Sequence, residues 1–167
     1  MSPWVLATSY FFHLAATVLW IGGLVVQAMV VWPAVRQTLG SDPQQAVLLR
    51  EIRRRFTPLA NLSLVVLVIT GLIQTSGDPN YNGLLVFDSD WSRAILLKHI
   101  AILGMVIVGV VLQWGVAPAQ ERMALLQARG KEAPDAESLD RRERRLTLIN
   151  LGLGVLVLVF TAFATAL

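Results

Sequence analysis

"HLAATVLWIGGLVVQ" (residues 13–27) and "HIAILGMVIVGVVLQ" (residues 99–113) read as two versions of one segment. They contain the only two histidines of the 167-residue chain. Aligned histidine to histidine, six of fifteen positions are identical: His, Ala, Ile, Gly, Val and Gln. The likeness extends both ways. Upstream, "SPW" (2–4) faces "SDW" (89–91), each reading as a capping residue followed by an interfacial tryptophan. Downstream, "VWPA" ends at Ala34 and "VAPA" at Ala119. "NLSLVVLVITG" from Asn61 and "NLGLGVLVLVF" from Asn150 share six of eleven positions. Matches among Leu and Val come easily in apolar segments; matched His, Gln, Asn, Gly, Trp and Pro do not. The pattern predicts one helical hairpin of roughly 85 residues, written twice.

The repeats lie in a chain that is 55% hydrophobic and only 15% charged. A soluble domain carries about a quarter charged residues. Apolar runs cover residues 4–35, 59–73, 94–114 and 146–167, and a helix needs about 20 mostly apolar residues to cross a bilayer. The second run reaches that length when Thr57, Pro58, Gln74 and Thr75 join the helix ends. The expected fold is all-α: an integral membrane four-helix bundle, a single domain over 1–167, with repeats at 1–80 and 88–167. Each repeat crosses an even number of times, so both point the same way, related by an axis along the membrane normal.

The net charge of +3 follows topology and does not imply nucleic acid. Arg36, Arg50, Arg53, Arg54 and Arg55 fall between the first two spans; Arg122, Arg129, Lys131, Arg141, Arg142, Arg144 and Arg145 fall between the last two. The middle loop carries Asp78, Asp88 and Asp90. The positive-inside rule therefore puts the basic loops in the cytoplasm and both termini outside, as in a multi-pass bacterial-type inner membrane protein. The first span has no basic residue before it and reads as retained rather than cleaved. Residues 42–55 read as a short basic amphipathic helix at the membrane surface. "ERMALLQAR" is helical, "GKEAPDAES" a break, and "LDRRERR" an extension of the fourth span. These segments read as solvated. The middle loop is rich in turn residues and is placed to close the outer mouth. With no cysteine, disulfides, thiolate metal sites and iron–sulfur clusters are excluded.

The histidines carry the chemistry. His13 follows Trp4 by nine residues and His99 follows Trp91 by eight, which puts both about 12–14 Å below the outer interface. His13, Thr17, Trp20 and Gln27 share one helix face, as do His99, Val106 and Gln113. Polar groups in membrane helices face the bundle interior, so two imidazoles are expected to meet across the pseudo-axis. That arrangement suits haem b, with His13 and His99 as axial ligands of the iron. Trp20 and Thr70 are candidates for the pocket wall, and Arg93 and Lys98 for the propionates. The plainer alternatives are interhelical hydrogen bonding for the histidines, packing for Trp20 and interface anchoring for Arg93.

"HLAATVLWIGGLVVQAMVVWP" (13–33) and "RFTPLANLSLVVLVITGL" (55–72) resemble the CopD copper-resistance membrane family: an opening His, Trp-x-Gly-Gly, then an Arg-Phe entry to a helix ending in Thr-Gly. "WSRAILLKHIAIL" (91–103) resembles that family's Arg-x-Leu-Leu-x-Lys segment, with Lys98 on the shared lysine. The same His and Lys pattern is similar to HemJ-type protoporphyrinogen oxidases. That resemblance implies His13 and Lys98 as functional residues. It spans roughly residues 10–118.

The leading expectation is a haem-b electron-transfer protein or small redox-complex subunit, ligated by both histidines. Soft sulfur donors for Cu(I) are few, Met29 and Met105 being the only methionines within the apolar runs. Copper handling by His13, His99 and Met105 is therefore the first alternative. Porphyrinogen oxidation, and a structural subunit with no cofactor, follow. The expected partners are the lipid bilayer, other membrane redox subunits or a quinone; an oligomer is compatible with the pattern.

Overall fold

The computed structural model describes residues 2–40, 42–79, 81, 88–133 and 135–167. Among these the chain is all-helical, with no strand. The helices are α1 (Pro3–Leu39), α2 (Pro43–Gly77), α3 (Asp90–Gln127) and α4 (Ala136–Ala166). All four are long and apolar enough to cross a membrane. At 1.5 Å per residue they run from about 46 to 57 Å, well beyond the roughly 30 Å hydrocarbon core. The fold is an integral membrane four-helix bundle, and its flanks expose Phe11, Leu14, Leu62, Ile69, Leu103 and Ile107 as a lipid-bathed surface demands.

Local chemistry sets the helix starts. Ser89 caps α3 in a reciprocal capping box with Ser92. Asp42 caps α2 by accepting from the Gln44 amide at 2.7 Å. Ser2 makes no such bond; its carbonyl alone begins α1, with Pro3 in the first turn. The two tryptophans after the caps also differ: Trp4 is 82% exposed, whereas Trp91 is only 7% exposed. Trp91 is thus packed within the protein rather than projecting into the interface.

Helices α1 and α3 each loosen before a proline. The backbone shifts to π-helical turns at Gln27–Val31, just ahead of Pro33, and at Val111–Val116, just ahead of Pro118. A proline lacks the amide hydrogen and crowds the carbonyl four residues back, so the ladder re-registers locally. A further π turn, Val18–Gly22, sits at the glycine pair Gly22–Gly23.

Each helix packs most closely on its sequence neighbour, α1 on α2 and α3 on α4. Gly23 explains part of the first pairing. The Phe56 ring of α2 occupies the space where a Cβ on Gly23 would stand. The Trp-x-Gly-Gly and Arg-Phe motifs are therefore halves of one contact. On the other side, Gly154 admits Met105, and Gly104 lies against Leu153. The hairpins meet in a small apolar core of Ile21 from α1, Ala101 and Met105 from α3, and Val157 from α4.

Residues 42–55 do not form a separate surface helix. They are the first turns of α2, which continues through Pro58. Ion pairs to the second hairpin hold them upright. Arg53 Nη2 donates to Glu143 Oε1 (2.6 Å) and Gln120 Oε1 (2.9 Å), and Arg50 pairs with Glu121 (3.2 Å). Gln120 Nε2 in turn donates to Glu143 Oε2 (2.6 Å) and Asp140 Oδ1 (3.3 Å), and Arg36 Nη2 donates to Asp140 Oδ2 (2.9 Å). One polar network therefore ties all four helices together at the basic end. The connection between α3 and α4 turns at Gly130, whose φ of 68° suits glycine. The expected closure of the outer mouth by the middle loop falls mainly on residues 80 and 82–87, outside the described residues.

Candidate functional site

At the opposite end, α1 and α2 build a polar cluster inside the apolar bundle. Thr70 is its centre, only 7% exposed. Its hydroxyl has one proton, donated along its own helix to the Val66 carbonyl at 2.6 Å. The hydroxyl oxygen can then only accept from the His13 Nδ1 that lies 2.8 Å away. This pairing assigns the hydrogen to Nδ1 and leaves Nε2 of His13 its lone pair. Thr17 returns its hydroxyl to the His13 carbonyl at 2.8 Å, and the ring edge lies near Gly71. Ser9, buried one helical turn from His13, donates to the Thr70 carbonyl at 3.2 Å and accepts from Gln74 at 3.5 Å. The imidazole is thus fixed in place and in tautomer, with one nitrogen available.

Lys98 of α3 is partly buried, and its ammonium is within electrostatic range of His13. Its position follows from helix geometry. Trp91, Ala94, Ala101 and Met105 are the buried residues of α3 between Asp90 and Val110, and Lys98 falls on the same stripe, four after Ala94 and three before Ala101. His99 is rotated about 100° from Lys98. It is exposed, and its Nδ1 donates to the Ile95 carbonyl of its own helix at 2.7 Å. The structure joins His13 to Thr70, sets Lys98 within electrostatic range of them, and leaves His99 outside the group.

The remaining candidates separate. Trp20 packs on the apolar core. Arg93 is exposed and paired with Asp90 at 3.2 Å. Met105 is 1% exposed and fills the core beside Gly154. Two imidazoles facing one another across a gap, which haem b between His13 and His99 requires, are not formed here, so bis-histidine haem ligation finds no support. Among the described residues, no group of three or more His, Cys, Asp or Glu side chains is placed to hold a metal ion.

Sequence reasoning missed Ser9 and Gln74 in the cluster, and Arg36, Arg53, Gln120, Asp140 and Glu143 in the basic network. Ser9 lies one turn from His13 and was legible by spacing; the network is a tertiary arrangement without a local signal.

A sequence model of the family described as copper resistance protein D matches residues 50–164. The matched region covers α3, nearly all of α4 and most of α2, including Thr70 and Lys98; His13 on α1 lies outside it. No curated protein and no solved structure matches the chain.

Proposed function

The chain belongs to the copper resistance protein D (CopD) family, and from that premise we propose that it handles copper as cargo within the membrane, meeting the ion at His13. The observation that carries this reading is the anchored imidazole, with Nδ1 bonded to Thr70 at 2.8 Å and the Nε2 lone pair left to bind a metal ion. A metal-binding histidine is commonly held through its other nitrogen in this way. Imidazole accepts both copper oxidation states. A single histidine with hydroxyl neighbours binds weakly, and a protonated Lys98 nearby opposes long residence of a cation. Passage is favoured over storage. We further read the basic ends as cytoplasmic and both termini as outside, on the distribution of arginine, in an inner membrane.

The test is copper binding by the purified full-length protein, under reducing conditions, in competition with a chromogenic chelator. His13→Ala should weaken binding at least about tenfold, and His99→Ala should leave it unchanged. Wild-type affinity in His13→Ala rejects the proposal.

A second reading is favoured by Lys98. A histidine with a partly buried lysine in electrostatic range matches the pair that the HemJ-type resemblance implies. An oxidase would turn over a porphyrinogen and lose that turnover in both Lys98→Met and His13→Ala. Copper binding without turnover decides for the first reading.

A further inference from the structure

The basic end of the bundle holds a second site. Between α1 and α4 lies a cavity of about 300 Å³ bordered by Ala28, Trp32, Arg36, Arg144, Thr147 and Leu148. Arg36, Arg144 and Thr147 supply its polar lining, and Ala28, Trp32, Pro33 and Leu148 its apolar part. Arg36 is held firmly: Nη2 donates to Asp140 at 2.9 Å, and the guanidinium lies 4.7 Å from the centre of the Trp32 ring. Its Nε–H is nevertheless buried with no acceptor among the described residues. Arg144 has no hydrogen-bond or carboxylate partner among the described residues. A shallower recess edged by Arg141, Arg145 and Ile149 adjoins the first and shares Arg144 and Leu148 with it.

The nearby carboxylates are already engaged. Asp140 accepts from Arg36 and Gln120, Glu143 from Arg53 and Gln120, and Glu137 from Arg141. The charge of Arg144 is therefore not cancelled. Arg36 spends Nη2 on Asp140, and Arg144, exposed on the cavity rim, is left to meet an anion.

We propose that this cavity binds an anionic phospholipid, its phosphate between Arg36 and Arg144 and an acyl chain over Ala28 and Leu148. The level is right. The apolar run of α1 ends at Val35 and that of α4 begins at Leu146, so the two arginines flank the boundary where lipid phosphates lie. The chemistry is right as well: guanidinium forks match phosphate oxygens, and basic pockets between helices at the cytoplasmic face suit anionic headgroups. A free phosphate would satisfy the arginines but leave the apolar part and the indole against water. A lipid satisfies both halves.

The experiment uses the full-length protein, delipidated in a neutral detergent and titrated with phosphatidylglycerol, phosphatidylcholine or inorganic phosphate. Native mass spectrometry and thermal melting provide the readouts. Phosphatidylglycerol should be retained and raise the melting temperature, while phosphatidylcholine and inorganic phosphate at matched concentration should do neither. Arg144→Gln should weaken phosphatidylglycerol retention about tenfold, the loss of one charge-assisted contact. Arg142→Gln, an exposed change outside the cavity, should leave retention unchanged. Arg144 holds no other group, so the variant should fold, and unchanged melting without lipid checks that it does. Equal retention by Arg144→Gln overturns the proposal, as does equal retention of phosphatidylcholine. A full effect from inorganic phosphate alone overturns the lipid assignment.

Discussion

Thr70 shows how much one hydroxyl can decide. With its proton directed to Val66, the hydroxyl accepts from His13, and the tautomer assigned to the imidazole follows. Thr70→Val keeps the shape and removes the acceptor. Copper affinity should fall about 10- to 100-fold, as for loss of other supporting partners of metal ligands, with Thr70→Ser recovering most of it; chelator competition measures both. The sequence made His13 legible as the first of two histidines and Thr70 as a polar residue late in an apolar run. On α3 the sequence repeat and the burial point to different residues. Repeat alignment favours His99, whereas burial favours Lys98. The small residues Ala94 and Ala101, at helical spacing around Lys98, held the better signal: the face that packs closely on α4 carries the lysine, and its neighbour is turned out to lipid.

At the scale of the helix, the prolines and glycines of the apolar segments have separate tasks. Pro33 and Pro118 each follow a π turn, whereas Gly23 clears a notch that the Phe56 ring fills. Gly23→Ala forces that ring aside and should destabilise the protein by about 1–3 kcal/mol, the usual cost of overpacking. Phe56→Leu in the same chain should relieve part of that cost, so a double-mutant cycle of thermal unfolding in detergent should report coupling between the two sites. Helix existence was readable from length and composition, and the caps at Asp42 and Ser89 from local spacing. The run of α2 through residues 42–55 was not, because the partners that hold those turns upright, Glu143 and Gln120, lie far away in sequence.

Across the whole molecule, stability is unevenly distributed. The network of Arg36, Arg53, Gln120, Asp140 and Glu143 gathers one residue or more from every helix. Glu143, with a side chain only 10% exposed, is its most enclosed charge. Glu143→Gln leaves Arg53 without a carboxylate and should cost about 3 kcal/mol, the lower end for breaking a buried pair because Arg53 is partly exposed. A lowered midpoint in detergent unfolding checks this, with copper affinity unaffected because His13 lies at the other end.

Among the described residues, the polar ties between the two hairpins all lie at that basic end, and the apolar core crosses between them midway. The described contacts clasp the bundle as tongs are clasped at the handle. Spin labels at Thr8 and Arg93 should give a broad spread of separations, and labels at Arg50 and Arg142 a narrow one; equal widths would mean the tips are clasped too. The His13 imidazole sits toward the end away from that clasp, so any breathing there would change its access without a hinge in the chain.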